Sequence, residues 1–267
     1  MNLAVFDVDG TLIETADADT NAFVAVVQAE LGIAAVDSNW DSYPHVTSEG
    51  ILDEIVRRAH RRPVTRAESA SVQRRLVAKL KSMAIRAVPG AAALLRRLTG
   101  GGWAVALASG DWELSARHKL AAAEVPADGL PAAFCDDSIV RVEVLRCALD
   151  RARRHYRNAG FDGIVYVGDG AWDVRAAREL GWGFVGIGSG AAAARLRALG
   201  AELVFPDYRD PAAVERAVGN AAHGIVAPLR PLFSTHEFSD ARLTHVPIPH
   251  SVQPRPPAGP ECQPPGR

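Results

Sequence analysis

Two aspartates two residues apart, Asp7 and Asp9, follow the apolar residues Leu3-Ala4-Val5-Phe6 near the start of the chain. Alternate residues of a strand point to one face, so the two carboxylates are expected to converge. In open α/β sheets ligands bind outside the carboxyl ends of the strands, which is where both acids fall. Alone, an Asp-rich turn is more often structural. A second pair changes that balance: Asp169 and Asp173 close the apolar run Ile164–Val167 in the segment Gly168-Asp169-Gly170-Ala171-Trp172-Asp173. Four acids in one cleft repel one another and resist desolvation, at several kcal/mol unless a cation neutralises them. Carboxylate oxygens and water suit a hard divalent ion, so Mg²⁺ is the expected partner. Between the pairs, the run Val105–Ala108 leads into Ser109-Gly110-Asp111, where a hydroxyl and a glycine amide could face an oxyanion at a helix start. Ser109 could equally be a helix N-cap.

The elements that must hold these residues follow from the same runs. Leu3–Val8, Val105–Ala108, Ile164–Val167, Phe184–Ile187 and Leu203–Phe205 are near-continuously apolar and are followed by helix-like stretches, as buried parallel strands require. The fold class is therefore α/β, with a Rossmann-like parallel-sheet core. Pro89 and the Gly100-Gly101-Gly102 stop bracket a crossover helix. Residues 14–86 carry no clear strand, and apolar positions such as Phe23/Val26/Val27 and Ile51/Leu52/Ile55/Val56 recur at helical spacing. An insert of that length exceeds any ordinary βα loop and is expected to be a helical subdomain placed after the first strand. The domains expected are an α/β core over 1–13 and 87–223, the helical insert over 14–86, and a tail over 224–267. Ten of the 17 prolines lie beyond residue 227, so the tail is expected to lack fixed structure, either as a solvated extension or as a polyproline docking segment.

The 267-residue chain is 48% apolar and 23% charged with net charge −1, so it is expected to form a globular protein with no electrostatic grip on nucleic acid or anionic membrane. There is no apolar stretch of membrane-spanning length, and the start lacks the basic residues of a signal peptide, so a cytoplasmic location is expected. The three cysteines lack metal-ligand spacing.

With these motifs in view, the chain resembles the haloacid dehalogenase-like (HAD) hydrolase superfamily over residues 1 to about 218. Asp7-Val8-Asp9-Gly10-Thr11 is similar to its first motif, Ser109 to the second, and the segment Gly168 to Asp173 to the fourth. The insert resembles the C1 cap that closes over the site and selects substrate. The resemblance implies a phosphatase acting on a small phosphorylated metabolite, with Asp7 as nucleophile and Asp9 as general acid and then base. It implies Mg²⁺ held by Asp7, the backbone carbonyl of Asp9, Asp169 and, directly or through water, Asp173, and a phosphoryl oxygen bound by Ser109 and the Gly110 amide. Dehalogenating members usually lack an acid at the position of Asp9, which disfavours that chemistry here.

The third motif departs from the family, which usually has a lysine before the helix preceding the fourth motif. Here Arg141 stands there, in a chain with only three lysines, at 79, 81 and 119. Arginine supplies the charge with a different geometry. Lys119 is the rival for this phosphate-binding role, or else a surface residue; Arg141 is preferred. In the insert, the loop Trp40–Thr47 carries His45, which could contact the leaving group, although a lone histidine is more often a packing or surface residue. Trp112 and Trp172, next to motifs, could line the cleft or pack the sheet edge. A phosphomutase would use the same residues. A non-catalytic binding or regulatory protein on this fold, docking through its tail, is a further alternative, against which the intact acid set argues.

Overall fold

The computed structural model describes residues 1–14 and 17–224. These belong to the first of the two units into which the chain divides, Met1–Val226 and Ala227–Arg267. The proline-rich tail expected over 224–267 lies, Gly224 apart, outside the described residues.

Six strands form one parallel sheet in the order β3-β2-β1-β4-β5-β6, where β1 is Leu3–Phe6, β2 Ala104–Ala108, β3 Ala132–Ala133, β4 Ile164–Gly168, β5 Gly183–Ile187 and β6 Val204–Phe205. The apolar runs become the strands because helices cover both faces: β1 and β2 are buried along their whole length. The pair Ala132–Ala133 escapes a hydrophobicity reading because two alanines carry almost no pattern. Starting from β1, the chain builds outward through β2 and β3, then returns to add β4, β5 and β6 on the other side. The switch point of the topology therefore lies between β1 and β4, where α/β sheets open a crevice for ligand.

Helices α1 (Asp17–Leu31), α2 (Ser48–His60) and α3 (Arg66–Leu80), with a 3₁₀ turn at Trp40–Ser42, occupy the insert. Thr47 caps α2 by accepting from the Gly50 amide, and Thr65 with Glu68 forms a capping box at α3. Their apolar faces share a core of Phe23, Val27, Leu52, Val56, Val72 and Leu80. That core also takes in Trp112 and Cys135 from the sheet side. The segments that enter and leave the insert run side by side, with an isolated antiparallel bridge between Ile13 and Ala87. Glu14 N–H donates to the Arg86 carbonyl and Val88 N–H to the Leu12 carbonyl, both at 2.9 Å. The remaining helices are α4 (Ala91–Gly100), α5 (Glu113–Ala122), α6 (Arg141–His155), α7 (Ala171–Leu180), α8 (Gly190–Ala198) and α9 (Pro211–His223). Sheet and flanking helices bury a second core including Phe6, Leu94, Leu107, Phe134, Val167 and Val218. Among the described residues no helix is long and apolar enough to cross a membrane.

Candidate active site

Asp7 immediately follows β1, Ser109 follows β2 and Asp169 follows β4, so three neighbouring strands deliver their first polar residue to one edge of the sheet. The Asp7 N–H still donates to the Val167 carbonyl at 2.9 Å, which pins the start of the turn. The chain then folds back at once, with Leu12 and Ile13 amides on the Val8 carbonyl. Asp7 and Asp9 do face the same cavity, but a turn aligns them, because the strand ends at Phe6.

Gly10 makes that turn possible. Its φ is +73°, and a Cβ there would collide with the Asp169 carboxylate. Gly10→Ala is expected to cost about 1–2 kcal/mol in backbone strain. It should also displace Asp169, lowering turnover at least about tenfold, as small misplacements at an active site do. A melting curve and a rate assay on the same preparation check both.

Asp7, Asp169 and Asp173 each offer a carboxylate oxygen within 4.8 Å of the others. Asp7 is 3% exposed and Asp173 0%. Asp173 accepts from the Tyr166 hydroxyl at 2.8 Å and from the Gly170 amide at 2.9 Å, which fixes its orientation. Burial, with Asp173 close by, pushes Asp7 up to about 8, although Arg141 pulls it back. Asp169 is driven well above the usual carboxylate range by burial, Asp173 and Asp7. A cluster of carboxylate oxygens in which burial and mutual repulsion raise Asp7 and Asp169 together is the donor set a hard divalent cation relieves, and it fits Mg²⁺.

Two cations stand among these acids, and the structure gives each its own carboxylate. Arg141, the first residue of α6, donates from Nη1 to Asp7 Oδ1 at 3.1 Å, with Nε 3.8 Å from Asp173. Lys119 on α5 donates to Asp9 Oδ1 at 2.6 Å and also meets Asp111 at 2.8 Å and Asp19 at 3.2 Å. Its side chain is 5% exposed. Burial opposes its charge, but the carboxylates of Asp111, Asp9 and Asp19 hold its pKa well above the ordinary lysine value. Asp9 is pushed by burial up to about 6, against the pull of Lys119. Lys119 is thus not a surface residue: it enters the same cavity as Arg141, on a different carboxylate.

Ser109 is buried, and its hydroxyl accepts from the Asp111 amide at 3.1 Å. It is not a helix cap, because α5 begins four residues later. The Gly110 carbonyl accepts from the Ser48 amide at 2.7 Å, and the Ser48 hydroxyl donates to Asp111 at 3.0 Å. Thr47 donates to the Ile139 carbonyl at 2.9 Å, and the Trp112 indole to Glu49 at 2.7 Å. These bonds hold the insert closed over the sheet edge.

A cavity of about 290 Å³ lies between them, lined among others by Asp7, Asp9, Ser109, Gly110, Lys119, Arg141 and Asp169. His45 does not line it. It borders a neighbouring depression with Tyr43, Val140 and Arg175, because the loop turns Val46, Thr47 and Ser48 inward instead. Trp172 lines the cavity, whereas Trp112 is packed against Phe23 at 6.0 Å. Asp19 and Asp111 are the site residues a motif reading passes over. Their one sequence signal is an acid beside a motif or at a helix start, which is too common to single out.

A parallel α/β core with paired acids at its switch point and a helical lid above defines a Rossmann-like enzyme with a carboxylate-rich active site. More narrowly, the chain belongs to the haloacid dehalogenase-like hydrolase family, whose model matches residues 1–181, and it is a hydrolase. Solved structures share the fold at low sequence identity. A hydrolase from Pseudomonas syringae is 20% identical, with TM-score 0.64, over 82% of this chain and 99% of its own. CbbY from Rhodobacter sphaeroides, in complex with phosphate, is 19% identical, with TM-score 0.60, over 78% and 95%. A phosphoglucomutase-like protein from Bacteroides vulgatus is 16% identical, with TM-score 0.62, over 84% and 91%. No match was found among curated proteins.

Proposed function

We propose that the chain is a Mg²⁺-dependent phosphatase that hydrolyses a small phosphorylated metabolite through an aspartyl-phosphate on Asp7. The observation that carries this reading is the division of labour between the two aspartates of the turn. Asp7 is paired with a guanidinium that can grip a phosphoryl oxygen, and Asp9 with a different cation, the Lys119 ammonium, which Asp19 and Asp111 also hold. A carboxylate nucleophile splits one displacement into two easier ones. An Asp7 oxygen attacks phosphorus, the bond from phosphorus to the alcohol oxygen breaks, and Asp9 gives that oxygen a proton. Asp9 then takes a proton from water as the water oxygen attacks the phosphoryl group and frees Asp7. Raised to about 6, Asp9 is suited to both proton transfers. Arg141, Ser109 and the Gly110 amide orient the phosphoryl oxygens. Asp7, the Asp9 carbonyl, Asp169 and Asp173 would hold Mg²⁺, which when bound offsets repulsion between the carboxylate and the phosphate.

In this reading residues 14–86 are the cap and 1–13 with 87–223 the catalytic core. CbbY has been solved with phosphate and, as a mutant, with xylulose-(1,5)bisphosphate, which supports a phosphorylated ligand for the shared fold.

Phosphate release from a panel of phosphate monoesters is expected in Mg²⁺ and absent in chelator. Mg²⁺ at about 100 times its Kd should stabilise the fold by about 2.7 kcal/mol, read as a rise in Tm. Release that chelator leaves intact would overturn the metal assignment.

A further inference from the structure

The two walls of the cavity differ in kind. The core wall carries the acids, Lys119 and Arg141, while the cap wall presents Phe23, Trp40, Val46, Ile51 and Leu76. Of the polar residues of the cap wall, Asp19, Thr47 and Ser48 are already engaged within the protein, which leaves the Thr20 hydroxyl of α1 facing the cavity. Asp19 pairs with Lys119, the Thr47 hydroxyl bridges the Ile139 carbonyl and the Gly50 amide, and Ser48 bonds Asp111. Helix α1, which forms much of this wall, contains no lysine, arginine or histidine. Among the described residues lining the cavity the cations are Lys119 and Arg141, and each already sits on a core carboxylate.

A sugar or polyol held here would surrender water from its hydroxyls and meet mainly aliphatic and aromatic side chains in return; the Thr20 hydroxyl and the Trp172 indole N–H can serve two of those hydroxyls, and the rest stay unpaired. A second phosphate would find no free cation and would lie near Asp19. An apolar or aromatic group loses nothing by the exchange and gains contact with Phe23 and Trp40, whose rings stand edge to face at 5.8 Å. The volume, about 290 Å³, is at the lower end for ligand pockets, which run from roughly 300 to 1,000 Å³, so the organic part must be small.

Building on the phosphatase reading, we propose that the substrate is a monophosphate ester of a small apolar or aromatic alcohol, seated against Phe23, Trp40 and Leu76. Hydrolysis adds the elements of water across the ester bond, releasing the neutral alcohol and inorganic phosphate. A mutase passes its phosphoryl group between two positions of one sugar through a bisphosphate, which this wall does not accommodate.

The test compares kcat/KM in Mg²⁺ for 2-phenylethyl phosphate, glycerol 3-phosphate and fructose 1,6-bisphosphate. The first two have alkyl leaving groups, so their intrinsic reactivities are close. The phenylethyl ester should be favoured by at least about tenfold over glycerol 3-phosphate, and more over the bisphosphate, as differences in pocket contact of this size give. Trp40→Ala should shrink that ratio several-fold, chiefly through KM. Should that variant fail to fold, Phe23→Leu serves, together with calorimetric binding of 2-phenylethylphosphonate to the unaltered protein. Equal or better turnover of glycerol 3-phosphate or the bisphosphate, or a ratio that neither variant changes, overturns the proposal and leaves the phosphatase reading standing. Release from none of the three esters or of the wider panel overturns the phosphatase reading itself, and this proposal with it.

Discussion

Asp7→Asn should lower phosphate release by about 10³-fold or more, the scale on which a lost nucleophile acts, while the protein keeps its fold. The side chain is isosteric, its oxygen can still accept from Arg141 at the position of Oδ1, and the backbone bond from Asp7 to Val167 is untouched. The change also removes a charge that folding disfavours. In the folded state the Asp7 carboxyl is pushed by burial to about 8, above its ordinary 3.8, so the folded protein holds a proton there that the unfolded chain releases. Without metal, stability is therefore lost as pH rises from about 4 to 8. The asparagine variant should show a flatter dependence and a Tm at neutral pH no lower than that of the unaltered protein. Acid-quenched enzyme should carry one phosphoryl group by mass spectrometry with Asp7 present and none in the variant. Unchanged turnover would end the covalent mechanism.

The second large effect is expected from Lys119→Met, which keeps the length of the buried stem and deletes its charge. Lys119 is the shared partner of Asp9, Asp19 and Asp111. Removing one member of a buried ionic cluster leaves uncompensated charge and costs about 3–5 kcal/mol. For a domain of this size that is a fall in Tm of roughly 6–20 °C. Asp9 lies at about 6 even with Lys119 beside it, and the variant raises it further. Its folded-state proton is lost as pH climbs, so the deficit should be greater at pH 8 than at pH 5. Turnover should fall as well, because Asp9 loses the cation that holds its side chain toward the cavity. Thermal melts at the two pH values, run beside the rate assay, check both. A surface lysine would produce neither effect.

Lys119 also marks where sequence reasoning reaches its limit. Lys119 and Arg141 are 22 positions apart and on different helices, and as residues they compete for one phosphate-binding role. In the fold both enter the same cavity and serve different aspartates, Arg141 on Asp7 and Lys119 on Asp9. No spacing rule reports this, because α5 and α6 are separate helices that only the fold brings to one cavity. Asp111 and Asp19 are missed for the same reason: an acid becomes a site residue by what lies across the cavity. His45 errs the other way, since a loop of polar and aromatic residues has two sides and only packing decides which faces inward. The β1 turn is a smaller instance. Alternation along a strand anticipates that Asp7 and Asp9 converge, but the strand ends at Phe6, before either of them, so alternation is not the cause.

What the amino-acid sequence determined by itself is the parallel α/β core, the helical insert after the first strand, and the acids at 7, 9, 169 and 173 on the carboxyl edge. Each is a local property: buried strands must be continuously apolar, helices must repeat at their own period, and the first polar residue after a buried strand has to emerge at the sheet's edge. What only the tertiary structure decided is which cation meets which carboxylate, which side of the Trp40–Thr47 loop faces the cavity, and that the cap wall is largely apolar with Thr47 and Ser48 already bonded. These depend on contacts between segments tens of residues apart, whose energies arise only when burial removes water from both partners at once.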